Sequence, residues 1–148
     1  MNITISPLTI DAYDRVLALW QQTEGVGLSS ADSRESIQAY LERNPGMSFI
    51  AERQGELVGA VLAGHDGRRG YIHHLAVRPD CRRQGLGCRL VDSCMLALQQ
   101  ASIQKCHLFI FNTNHTGIGF WQSVGWASRA DISIMSKTIE PAATGECC

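Results

Sequence analysis

Apolar and polar positions alternate along some stretches of the chain and recur with helical spacing along others, and the changes of period mark the elements. "ITISPL" (3–8) alternates and predicts a first strand, stopped by Pro7. In "TIDAYDRVLALWQQ" the apolar residues Ile10, Val16, Leu17, Leu19 and Trp20 fall on helical spacings, with Thr9 as the N-cap. "TEGVGLSSADS" breaks the pattern with glycines and serines. A second helix follows. Asp32 and Glu35 have the spacing of a capping box, Ile37, Tyr40 and Leu41 form the apolar face, and "NPG" ends it.

The middle of the chain reads as strands. "MSFIAER" and "LVGAVLAG" form a hairpin around "QGE", and "HDGRRG" turns the chain into a third strand, "YIHHLAV". From Gly85 the period becomes helical, with Leu86, Leu90, Val91, Cys94 and Leu98 on one face, as far as about Ala101. "KCHLFIF" predicts a buried strand, "NHTGIGFWQSV" a short helix and "DISIMSKTI" a last strand. The order βααβββαβαβ, with antiparallel hairpins before a strand–helix–strand crossover, predicts an α/β fold: a mixed sheet flanked by helices.

Length and composition narrow this further. A chain of 148 residues, 45% hydrophobic and 18% charged, fits one globular domain with a real core. The net charge is −1, and the only basic runs are Arg68-Arg69 and Arg82-Arg83, which argues against bulk attraction to nucleic acid. No apolar segment approaches the roughly 18–20 residues needed to span a bilayer, and "MNITISPLTI" lacks the basic and apolar regions of a signal peptide. Six cysteines occur without a CxxC pair, so the expectation is reduced cytoplasmic thiols and no metal site. Cys147 and Cys148 fall in a tail expected to be flexible from about residue 140.

The candidate chemistry lies in "HHLAVRPDCRRQGLGCRLV" (73–91). A strand stops at Pro79, and Gly-x-Gly opens a helix. A helix start presents free N–H groups and the positive end of a dipole, and so attracts anions. Arg82 and Arg83 add charge where a diphosphate would sit. A Walker A loop is excluded because Cys88-Arg89 follows the second glycine, and a dinucleotide fingerprint because Leu90 stands where a third glycine belongs.

"LAVRPDCRRQGLG" resembles the acetyl-CoA-binding motif of the GNAT superfamily of N-acetyltransferases, carried by Leu75, Val77, Pro79, Arg82, Gly85 and Gly87. "NTNHTGIGFWQSVGW" is similar to the second signature of that family through Asn114, Phe120, Gly125 and Trp126. The resemblance covers residues 1 to 138 and looks most like small bacterial members of the YpeA type, relatives of the ribosomal-protein alanine acetyltransferases. It implies a single domain over 1–148 with a mostly antiparallel sheet, a splayed pair of strands and about four helices. Leu75, Ala76 and Val77 would bind the pantetheine arm and acetyl carbonyl through their backbones. Arg83, Gln84, Gly85, Leu86, Gly87 and Cys88 would cradle the pyrophosphate, and Asn114 would bond the pantetheine side.

The implied reaction is direct attack of a primary amine, on a peptide, protein or small molecule, on the thioester. The amine must first lose a proton. By family position His73 is the base, with His74 or water as alternatives; in a regular strand His74 points to the opposite face, which a bulge would upset. Trp121 stands where the family's acid, a tyrosine, belongs. Tyr71 or water could then supply the proton, or the thiolate could leave unassisted. Glu24 and Asp32, in the loop between the first two helices, could attract a cationic amine, although Asp32 also reads as a simple helix cap. Trp20 and Tyr40 read as core or as pocket lining, and His107 and His115 carry no signal. The resemblance leaves a homodimer open. The alternative function is a module that senses acetyl-CoA or CoA without turnover.

Overall fold

The computed structural model describes residues 2–141. A five-stranded sheet has the order β1 (Ile3–Pro7), β2 (Phe49–Arg53), β3 (Glu56–His65), β4 (Gly70–Val77) and β5 (Cys106–Leu108). The first four strands pair antiparallel, and β5 runs parallel to β4. Helices α1 (Tyr13–Gln22) and α2 (Arg34–Arg43) lie between β1 and β2, α3 (Leu86–Gln100) crosses from β4 to β5, and α4 (His115–Ser123) follows β5. The mixed sheet, the hairpins and the four helices follow the expected order.

The central strand β3 explains the two layers. Its residues are buried almost continuously, so both of its faces must be covered. Ala60 and Leu62 join Val16, Leu19, Trp20 and Ile37 under α1 and α2. Val58, Val61 and Ala63 join Leu86, Leu90, Val91 and Cys94 under α3. Cys94 is fully buried, and burial pushes its thiol up to about 12; burial raises Cys106 to about 11. Neither carries an appreciable thiolate at neutral pH. Beyond β4, Arg78 forks onto Asp80 and also reaches Glu56, while Arg53 bonds Asp80 from β2. These surface ion pairs tie the end of β4 to the hairpin below it.

Several expectations give way. Thr9 makes no side-chain cap; it precedes a 3-10 turn over Ile10–Ala12 that leads into α1. The N-cap of α2 is Ser33, whose hydroxyl accepts from the Ser36 N–H. Asp32 instead completes a capping box with Ser29 on the 3-10 turn Ser30–Asp32. The strand expected over "KCHLFIF" is paired only over Cys106–Leu108, where its pairing with β4 ends. "DISIMSKTI" forms no strand: Ile132, Ile134, Met135 and Ile139 are exposed. A period-two pattern becomes a strand only where a sheet edge accepts it. The tail with Cys147 and Cys148 lies outside the described residues.

Candidate active site

β4 is paired on both sides only in its first half. Gly70, Tyr71 and Ile72 pair with Cys106, His107 and Leu108, and no pairing continues beyond Ile72. On the other side the register with β3 slips: Leu62 faces His73 and Ala60 faces Ala76, so His74 and Leu75 together face Val61. This is a β-bulge, and His74 sits in it with φ +54°. A non-glycine residue in the left-handed region costs about 1–2 kcal/mol. The surrounding groups hold it there. The Trp20 indole N–H donates to the His74 carbonyl at 2.8 Å. His74 Nε2 lies 2.8 Å from Asp32 Oδ1. The other carboxylate oxygen of the buried Asp32 accepts from the Ser29 N–H, and its carbonyl accepts from the Tyr13 hydroxyl.

The bulge changes which way the histidines point. His74 packs edge-on against Trp20 and His73 edge-on against Tyr40, so both lie on the α1–α2 face, with ring centroids 6.2 Å apart. The opposite-face expectation for His74 therefore fails. Their surroundings separate them. His74 is held by Asp32, whereas His73 makes no side-chain hydrogen bond among the described residues. Burial lowers the His73 pKa from its ordinary value; repulsion from His74 adds to this, and Asp32 partly opposes it. His73 is therefore mostly neutral at pH 7 and able to accept a proton. Tyr71 is nearly parallel to His73, with centroids 6.5 Å apart. Tyr40, pressed under the same face, is raised to about 12, chiefly by burial.

The glycine loop lies at the far end of β4. Gly85 is the N-cap of α3 at φ +76°, a conformation that a side chain would strain. Gly87 approaches Phe120 of α4: a Cβ there would stand 3.3 Å from the ring. The loop residues Arg82, Arg83, Gln84 and Gly85 are exposed, Gly87 and Cys88 are half-buried, and Leu86 is core. No side chain caps the start of α3, so its first N–H groups remain available to an anion. Arg82 is less free than its charge suggests, because its Nε donates to the Val77 carbonyl at 2.9 Å. That bond also occupies one of the backbone groups expected to meet the pantetheine arm. Leu75 and Val77 pack towards α3, and Ala76 packs towards α1.

Asn114 is the N-cap of α4, its Oδ1 accepting from the Gly117 N–H at 2.9 Å. Its side-chain amide reaches the α1–α2 loop, where a Cβ on Gly25 would come within 2.6 Å of Nδ2. Trp121 packs against Phe120 and Trp126 and brings no acid. Glu24 is exposed on the loop and makes no ion pair among the described residues. The structure also assembles residues that the sequence reading missed. His107 and Phe109 join Tyr71 and His73 in one aromatic cluster, and only the parallel β4–β5 pairing could have shown it. Among the described residues no group of three or more His, Cys, Asp or Glu side chains is placed to hold a metal, and no helix is long and apolar enough to cross a membrane.

Known proteins resemble this chain in sequence and in fold. An acetyltransferase of Pectobacterium atrosepticum is 28% identical over 130 residues, covering 88% of this chain and 92% of that protein. The PaiA N-acetyltransferase of Thermoplasma acidophilum, solved with coenzyme A, matches with a TM-score of 0.74 at 17% identity, over 87% of this chain and 92% of that one. The ribosomal-protein-S18-alanine N-acetyltransferase of Escherichia coli matches at 0.68 and 21% identity, over 84% of this chain and 77% of that one. At such identities these two structures share the fold. The acetyltransferase (GNAT) family profile matches residues 13–126, a span that holds both histidines, the bulge and the glycine loop. The chain belongs to the GNAT acetyltransferase family and is an acetyl-CoA-dependent acyltransferase.

Proposed function

We propose that this protein moves the acetyl group of acetyl-CoA to a primary amine, with His73 as the base. The observation that carries the reading is the end of β4–β5 pairing at Ile72, immediately before His73, whose imidazole makes no side-chain hydrogen bond among the described residues. At one end of β4 stands the glycine-led start of α3. Two glycines keep it open to an anion: a side chain would be strained at Gly85 by its φ and would crowd Phe120 at Gly87. The backbone of Leu75, Ala76 and Val77 would flank the pantetheine arm along the open strand edge, and the Asn114 amide would bond it from α4. Arg83, Gln84 and Cys88 line the same loop and would surround the diphosphate.

An incoming ammonium passes one proton to His73, and the freed nitrogen forms the amide bond as the carbon–sulfur bond breaks. The nitrogen sheds a second proton and the departing sulfur takes one up, so one proton in total reaches solvent. Trp121 cannot supply the sulfur's proton, and Tyr71, the phenol beside His73, is our candidate for it. Glu24, on the loop facing this region, is our candidate for drawing in the ammonium. The four described cysteines are free, which supports a cytoplasmic setting.

The test is calorimetric titration with acetyl-CoA, wild type beside Gly87→Trp, followed by a thiol-release assay over small amines and N-terminal peptides. Binding by the wild type alone, with thiol release for one acceptor class, is expected. Binding without release for any amine would leave a protein that holds acetyl-CoA without passing it on, and no binding at all would overturn the reading.

A further inference from the structure

Resting on the reading of this cleft as an amine-acetylation site, we infer that its acceptor is an aralkylamine, a primary amine borne a few carbons from an aromatic ring. Three rings, His73, Tyr71 and Phe109, stand in a near-equilateral triangle with centroids 6.5, 6.0 and 6.4 Å apart. Tyr71 is nearly parallel to both of the others, at 12° and 22°. His107 lies 6.0 Å from Tyr71 on the parallel strand, and Tyr40 closes the triangle edge-on from α2. The strand period explains part of the arrangement: residues 71 and 73 share one face of β4, His107 continues that face opposite Tyr71, and Phe109 lies two residues on, just past the last pair.

The inner rings are half-buried, but Phe109 is 57% exposed. It therefore offers accessible aromatic surface directly beside the proposed base. Phe111, 58% exposed, continues the face towards the α1–α2 loop, where a Cβ on Gly27 would meet its ring at 3.0 Å. An aromatic ring docked on Phe109 would hold its pendant amine towards His73, and the surrounding ring faces would tolerate its positive charge before deprotonation.

Charge favours one ammonium over several. Among the described residues no carboxylate is hydrogen-bonded or ion-paired to any ring of the cluster. Asp32, the acid on this face, is occupied by His74 and the Ser29 N–H. Glu52, Glu56 and Asp80 pair with arginines at the β2–β3 and β4 ends, and Asp66 is held by backbone N–H groups in its turn. Glu24, exposed on the α1–α2 loop and in no ion pair among the described residues, is our candidate for meeting one cation. A polyamine would leave its remaining charges without partners on an aromatic surface.

The test compares phenethylamine, n-hexylamine and spermidine as acceptors for the full-length protein, and measures phenethylamine binding to the acetyl-CoA-loaded protein by NMR titration. The expected kcat/KM for phenethylamine exceeds that for hexylamine by about tenfold, through KM, with spermidine poorest. Phe109→Leu, which keeps apolar bulk without a ring, should bring the phenethylamine-to-hexylamine ratio close to one, and Phe109→Tyr should restore it. A preference for hexylamine or spermidine, or a ratio unchanged in Phe109→Leu, overturns the inference while leaving acetyl transfer standing. Saturable phenethylamine binding that is lost in Phe109→Leu, without turnover of any amine, overturns the assignment of an acceptor and, unlike the outcomes above, removes the transferase reading of this site as well.

Discussion

The two halves of the sheet differ in how they use their hydrogen bonds. From β1 to β4 every neighbouring pair is antiparallel and runs nearly the length of the shorter strand. Between β4 and β5 only three residue pairs form before the strands part. The closed half buries β3 on both faces and supplies the core. The open half leaves a strand edge and a half-buried ring cluster with Phe109 exposed, and the bulged His74 lies just past the last β4–β5 pair. Unpaired edges and left-handed side chains lower stability. Here they occur together, beside the residues assigned to chemistry, and the closed half offsets them.

This contrast can be broken most severely at the loop. Gly87→Trp should abolish acetyl-CoA binding, a loss of more than about 100-fold, because even a Cβ already crowds Phe120. Calorimetry reads the loss, and far-ultraviolet circular dichroism should show the sheet intact. Next comes His73→Ala, which should lower kcat by about 10²–10⁴. The sign of its pH dependence follows from burial. With its pKa lowered by burial, wild-type His73 is mostly neutral at pH 7, so activity should fall as the pH drops below the ordinary histidine value. A pH–rate profile should show that acid limb in the wild type and not in the variant.

The bulge sharpens the comparison from the side of stability. Asp32→Ala leaves the Ser29 N–H and the His74 ring without their buried partner, and should cost about 1–3 kcal/mol in urea unfolding. Trp20→Phe removes only the bond to the His74 carbonyl and should cost about 1 kcal/mol more than its lost packing. At the small end, Arg78→Ala breaks ion pairs whose carboxylates are largely exposed, and the melting temperature should hardly move. A larger shift there would mean that the closed half depends on its rim more than on its core.

The same division governs what the sequence disclosed. The closed half and the helix start were legible because they are written in local terms: apolar period, turn residues, glycines before a helix. The helix expected from Gly85 to about Ala101 is found over Leu86–Gln100. The open half was not. A histidine at φ +54° gives no signal in a pattern of apolar residues, so the common face of His73 and His74 could not be read. Asp32 has the spacing of a helix cap, and its bond to His74 spans 42 residues. His107 and Phe109 reach the site through a parallel register with a helix intervening. "DISIMSKTI" shows the converse: an alternating local pattern alone did not make a strand.

The fully buried Cys94 makes the core a clock that can be read from outside. With its thiol raised to about 12 and no exposed surface, it stays silent to maleimide at neutral pH while α3 remains seated on the sheet. Each labelling event on Cys94 would therefore mark one departure of that helix, and pulse-labelling followed by mass spectrometry would time how often the closed half of the molecule opens.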